Sequence, residues 1–396
     1  MTPTSFSSAV GAELASVRFA RLQRTALIAA AVGLVALAAG LVASPARALT
    51  NVLIGGLYVT DLAVGGTVLL CLLAVANAGW AVVLKRVLEA FGSFVPVGGL
   101  LLLATTPGLR VLYEWARPAA ATDALLAGKA AFLNPTFFVA RMVVILALWA
   151  VFSARLRRLS LAQDRTGDAG TRAAVRWAAG FLVVFAVTAC LGAFDWLMTL
   201  EARWFSTIFG FYNVAGILVS TVTAVAVTAI LLRRAGALPE FRDDHLHDLG
   251  KLMFAFATFW AYQWISQFLL IWYSNIPEET VYFERRWTGG WWPVWLANVL
   301  VNWALPFFLL LPRGAKRNER VVLGVGALLL FGRWLDLWLM AMPANFPERP
   351  WPGLLEVAGL LGPIGLLVFW VTRSLGRAPL LPRHDPYLIE SLHHHT

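Results

Sequence analysis

Charge is scarce in this chain. Only 14% of its residues are charged and 59% are hydrophobic, whereas soluble domains carry about a quarter charged side chains. One soluble core cannot hide that apolar excess, so lipid is the expected solvent. Cysteine is scarcer still: Cys71 and Cys190 both lie inside apolar runs, which reads as two small core residues and supplies neither a disulfide framework nor an iron–sulfur pattern. Histidine occurs six times and never inside an apolar run, which excludes a transmembrane b-type haem. The net charge of +10 comes with no DNA- or RNA-binding motif, so nucleic acid is not an expected partner. No nucleotide loop, metal motif or nucleophile–base pair is visible. By itself the chain is no redox enzyme, and it is expected to bind no cofactor tightly.

What is abundant is apolar sequence. A spanning helix needs roughly 20 mostly apolar residues, and ten runs qualify: 25–43, 57–79, 87–106, 131–153, 174–195, 205–232, 251–273, 291–312, 321–341 and 354–374. The expected fold is therefore an all-α integral membrane protein with about ten transmembrane helices. Residues 1–24 are polar and basic, and the first run is long enough to stay in the membrane as an anchor. The run at 57–79 is interrupted by Asp61, and the third contains Pro96 and several glycines. The 18 tryptophans suit the membrane interface, where an apolar ring can keep its N–H in water.

Orientation follows from the loops, because Lys and Arg collect on the cytoplasmic side. With an even helix count both tails share one face. That face carries 22 basic residues and the opposite face 8, with Arg141 and Arg333 inside runs. The predicted localisation is a cytoplasmic membrane with both termini in the cytoplasm. On the opposite face, residues 107–130 and 274–290 form the longest loops. The second is aromatic and holds Glu278, Glu279 and Glu284, and reads either as a docking surface or as a solvated loop.

Ionisable side chains inside a span usually face a cavity, a partner or a proton route. The candidates are Asp61, Arg141, Asp195, Arg333 and Asp336, with Glu89 near a cytoplasmic end. Arg141 lies about ten residues into its run, roughly 15 Å at the α-helical rise and so near the midplane; either Asp61 or Asp195 can serve as its partner. Arg333 and Asp336 are three apart and share a helix face, as a structural pair or as part of a proton or quinone site. Gln263, Ser266 and Gln267, and Asn298 with Asn302, either bond helix to helix or line a hydrated wire. His245 and His247 precede the seventh run among three aspartates and are candidates for a cytoplasmic proton entrance. His393, His394 and His395 read as a disordered tail.

Two stretches carry a resemblance: LGAFDWLMTLEARWFSTIFG from Leu191 to Gly210, and HDLGKLMFAFATFWAYQWISQFLLIWYSNIPEET from His247 to Thr280. With the C-terminal DPYLIESLHHH, they resemble the NrfD-like, polysulfide reductase C-like membrane subunits of alternative complex III, a quinol:cytochrome c oxidoreductase of bacterial inner membranes. The resemblance implies two four-helix bundles, residues 57–204 and 205–345, with a peripheral first helix at 25–56 and a last helix and tail at 346–396. It implies partners: a second NrfD-like subunit, an iron–sulfur subunit, cytochrome c subunits and small membrane subunits. Haem c and Fe–S clusters would reside in those partners. Quinone or quinol is the one small molecule this chain would contact, with Asp61 or Asp195 taking the quinol proton, and with a role in scaffolding and proton conduction. The alternative class is a secondary transporter with a midplane polar site. Transporters favour inverted repeats and paired helix breaks, and Gly98, Gly99, Gly210 and Gly216 form no paired pattern. A membrane-embedded lipid glycosyltransferase has only the Asp243–Asp248 segment to offer as a motif.

The charge asymmetry yields a direct test. Alkaline phosphatase fused after the C-terminus should be inactive and a fluorescent protein there bright; the reverse result would invert the topology.

Overall fold

The computed structural model of the chain describes residues 3–166 and 170–395, with side chains from Phe19 onward; Arg18, one of the basic residues counted on the tail face, lies outside the described side chains. The described residues are mostly helical and include no strand. Ten helical segments are long and apolar enough to cross a membrane. Numbered as spans 1 to 10, they are Phe19–Ala43, Pro45–Val75, Gly79–Leu112, Pro135–Arg165, Thr171–Glu201, Ile208–Arg234, Asp243–Ser274, Gly289–Leu310, Glu319–Asn345 and Leu354–Leu375. The chain is thus an all-α, multi-pass membrane protein.

Several boundaries move, each for a local reason. Span 1 is the apolar part of a helix that already begins at Pro3. Span 2 starts at Pro45 rather than 57, because Pro fits the first turn and the polar residues that follow are satisfied: Arg47 Nε and Asn51 Nδ2 both donate to Glu356 Oε1 of span 10, at 2.7 and 3.0 Å. Residues 45–56 therefore belong to the second helix. Span 3 is composite. Its helix stops at Gly92 and restarts at Val95, so that Pro96 falls in a first turn, where its missing N–H costs nothing. Residues 277–287 of the long loop on the opposite face are a helix, with Pro277 and two glutamates in its first turn and two arginines in its last, the arrangement that the helix dipole favours.

The neighbour relations close two rings. Spans 2, 3, 4 and 5 pack in cyclic order, as do spans 6, 7, 8 and 9. Span 2 also touches spans 6, 9 and 10, and it is buried almost continuously from Ala48 to Leu69, as expected of a helix that is apolar all round. Spans 1 and 10 form a pair against span 2. Their axes approach closely through small residues: a Cβ on Gly33 would lie 2.3 Å from the backbone N of Gly362, and one on Gly365 would lie 2.6 Å from the Ala26 carbonyl O. Lipid removes the hydrophobic drive between helices, so such contact is what holds them.

The C-terminal segment is docked rather than disordered. Asp385 accepts from Lys85 at 2.7 Å, His384 Nδ1 lies 2.9 Å from the Asp164 carbonyl, and His394 Nε2 lies 2.5 Å from Asp248 Oδ2, with its ring stacked on Trp80. The segment so crosses from spans 3 and 4 to span 7.

Gly362→Leu should therefore separate span 1 from span 10, with the cost of about 1–3 kcal/mol typical of overpacking. Denaturant unfolding in bicelles reads the cost; an unchanged unfolding midpoint would contradict this packing.

Candidate functional site

Three arginines, two of them buried and one half-buried, organise the polar interior, and the central one joins the two rings. Arg333, in the middle of span 9, donates through Nη2 to Asp61 Oδ2 of span 2 at 2.7 Å and through Nη1 to Asp336 Oδ2 at 2.9 Å. Asn213 Oδ1 of span 6 accepts a longer bond at 3.3 Å. Asp336 is held from three further sides: the Tyr212 hydroxyl of span 6 donates to Oδ1, Asn298 Nδ2 of span 8 donates to Oδ1 at 3.1 Å, and Trp260 Nε1 of span 7 donates to Oδ2 at 3.1 Å. Asn302 links Asn298 to the Gly332 carbonyl and sits in a π-helical turn, Leu300–Ala304, a distortion frequent at functional sites. Arg333, Asp336 and Asn298 are each 1% exposed or less. A Cβ on Gly216 would lie 2.3 Å from Arg333 Nη1, so glycine there makes room for the guanidinium.

Two carboxylates meet one guanidinium here. With both ionised, the centre carries one more negative than positive charge in a buried region. Such a centre has the means to take up and give back one proton. A hollow of about 10 Å³ borders Asp336, Tyr212, Gln267 and Trp295 on one side and Arg286 and Tyr282 on the other. That is at the lower limit for one water, about 10–15 Å³. Two of its buried donors, Gln267 Nε2 and Trp295 Nε1, have no hydrogen-bond partner among the described residues.

The second arginine is Arg286, from the helix 277–287. It donates to Glu201 Oε1 at 2.7 Å and to the carbonyls of Tyr282, Leu339 and Met340, with its guanidinium 3.4 Å from the Tyr282 ring centre. Burial pushes the Tyr282 hydroxyl well above its ordinary range, so it stays neutral beside the cation. The third is Arg141. Span 4 begins at Pro135, so Arg141 lies only six residues in, roughly 9 Å at the α-helical rise, near the opposite face and not at the midplane. Its partner is Asp195, which it grips with two bonds of 2.7 and 2.9 Å; Phe132 and Phe137 cover the cation.

The structure therefore joins Asp61, Arg333 and Asp336, and sets Arg141 with Asp195 apart as an anchor of span 4 to span 5. His245 and His247 lie in the first turns of span 7, not in a loop. His245 Nδ1 accepts from the Arg242 N–H and Nε2 meets the Ser391 carbonyl at 2.9 Å, fully buried under the C-terminal segment. His247 Nδ1 has no partner among the described residues. Sequence inspection singled out neither Tyr212, Trp260 and Asn213 nor Glu201 and Arg286. It also counted Arg86 only as a loop charge, whereas Arg86 is buried between Glu89, Asp164 and Ser160; the Arg86–Glu89 spacing of three was the available signal. No family model matches the chain, and no curated protein sequence matches it.

Removing one partner of a buried pair strands the other and typically costs ~3–5 kcal/mol. Arg333→Met, which leaves two carboxylates together, should lose that much, measured by denaturant unfolding in bicelles. Asp195→Asn strands Arg141 and should lose a comparable amount. Asp61→Asn keeps the Arg333–Asp336 pair and should lose clearly less. Equal losses in all three would deny Arg333 its central place.

Proposed function

We propose that this chain is an NrfD-like, polysulfide reductase C-like membrane subunit of a quinol-oxidising electron-transfer complex of the alternative complex III kind. In this reading it lies in a bacterial inner membrane with both termini in the cytoplasm. It scaffolds an iron–sulfur subunit, cytochrome c subunits and a second NrfD-like subunit, which carry the Fe–S clusters and haem. Its own chemistry is to contact quinone and to move the proton that quinol oxidation frees. The observation that carries the reading is the Asp61–Arg333–Asp336 centre, placed where span 2 of one ring meets spans 6 and 9 of the other. Intramembrane ionisable groups that face a protein interior mark ion or proton routes by default. The water-sized hollow beside Asp336 leads toward Arg286 and Glu201, that is, toward the face opposite the two termini. The quoted stretches support the same reading, since Tyr212, Glu201 and Trp260 lie in or beside them. Around the helix 277–287, Trp272, Tyr273, Trp287 and Trp292 are exposed. Exposed Trp and Tyr suit both a membrane interface and a protein contact, and this is the surface we assign to a partner subunit.

The test is purification of the chain from its native membrane in mild detergent, with a haem spectrum and mass spectrometry of what accompanies it. A c-type haem spectrum with an iron–sulfur protein is expected. In that assembly Asp61→Asn should slow quinol turnover about a hundredfold or more, within the range of about 10²–10⁴ for loss of acid–base assistance. A colourless protein without partners would overturn the reading.

A further inference from the structure

Away from the charged centre, a cavity of about 300 Å³ opens among spans 1, 2, 6, 9 and 10, lined by Leu22, Leu62, Leu231, Ile364, Val368 and Leu375 among other apolar residues. Its walls reach from the middle of span 2 to the tail-face ends of spans 1, 6 and 10. Only three hydroxyls face it, and each already donates its proton to a carbonyl: Tyr58 to Leu330 at 3.1 Å, Thr228 to Ala224 at 2.8 Å and Thr372 to Val368 at 2.7 Å. No donor is left to grip the carbonyl of a quinone ring, and nothing there would hold water. An alkyl chain needs neither.

The mouth of the cavity is basic. Arg21 and Arg24 flank the lining residue Leu22, Arg233 and Arg234 fall between Leu232 and Ala235, and Arg373 falls between Thr372 and Leu375. Arg21, Arg24 and Arg373 are exposed, while Arg233 and Arg234 share Glu319. Five guanidiniums against two carboxylates, the shared Glu319 and the Asp243 that also meets Arg233 at 2.8 Å, favour an anion, and basic pockets between spans on this face bind anionic headgroups. We infer that this cavity is a phospholipid site that takes one acyl chain into its apolar interior and the phosphate of an anionic lipid among the arginines at its mouth. In a bilayer the chain gains little by leaving one apolar medium for another, so headgroup charge decides which lipid stays. This inference rests on the membrane fold alone and is independent of the electron-transfer reading.

The experiment is native mass spectrometry of the full chain, with whatever proteins accompany it, exchanged into mixed phosphatidylglycerol and phosphatidylcholine. One phosphatidylglycerol per chain is expected to survive detergent washing, preferred about tenfold over phosphatidylcholine on the scale of a few lipid-facing arginines. Val368→Trp should fill the cavity and abolish the retained lipid. The triple change Arg21→Gln, Arg24→Gln, Arg373→Gln alters exposed side chains only, and should erase the preference while the helical circular dichroism stays unchanged. If Val368→Trp fails to fold, the triple variant decides alone. Retention of lipid in a folded Val368→Trp protein, an undiminished preference in the triple variant, or extraction of a quinone in place of phospholipid would each overturn the site.

Discussion

The interaction on which the rest of the molecule depends is the double ion pair of Arg333 with Asp61 and Asp336. A guanidinium taken out of water carries a desolvation cost of several kcal/mol even after relaxation, recovered only with good geometry and full hydrogen bonding. Its carboxylates come from different rings, so the rings cannot slide past one another without uncovering charge. The neighbours follow from that constraint. Gly216 leaves space for Nη1, Asn213 adds an acceptor, and Tyr212, Trp260 and Asn298 bring three donors to Asp336. Spans 2, 6, 7, 8 and 9 all contribute to a single network, in which Arg333 Nε lacks a hydrogen-bond partner among the described residues.

The same solution recurs toward both faces. Arg141 with Asp195, Arg286 with Glu201, Arg47 with Glu356 and Arg86 with Glu89 and Asp164 each tie two segments distant in sequence, except for the local Arg86–Glu89 pair. Arginine suits this task because its planar fork reaches two acceptors at once and stays charged. Between these ties the helices meet through small residues, as Gly33 and Gly362 do. Ion pairs set register and small residues set distance, and in lipid neither role can be left to hydrophobic collapse.

Much of this was legible beforehand. Ten spans, their order and the short set of intramembrane charges follow from hydropathy, because lipid imposes length and composition directly. Depth and pairing were harder. A start error of four residues in span 4 moved Arg141 by about 6 Å along its axis and made a peripheral anchor look central. Pro135, a good first-turn residue, was the missed signal. Hydropathy averaging also assigned residues 274–290 to a loop, although Pro277, the acidic first turn and the basic last turn spell a helix. For Glu201 no local sign exists. Its partner stands 85 positions later, and one-dimensional sequence carries no record of that contact.

The surroundings of the centre are unequal on its two sides, and this bears on what it can do. Toward the opposite face lie Gln267 and Arg286, which border the hollow, and Glu201 paired with Arg286. Toward the tail face lies the apolar cavity, whose three hydroxyls are spent on backbone carbonyls. Protons pass along groups that can both accept and donate, so under the proposed function a proton bound at Asp61 or Asp336 would exchange more readily with the opposite face. A purely structural tie would be as stable, or more so, with apolar residues in its place. In the proposed reading, a centre with one carboxylate to spare and polar contact on one side would release its proton there, and the apolar cavity on the other side would oppose a leak.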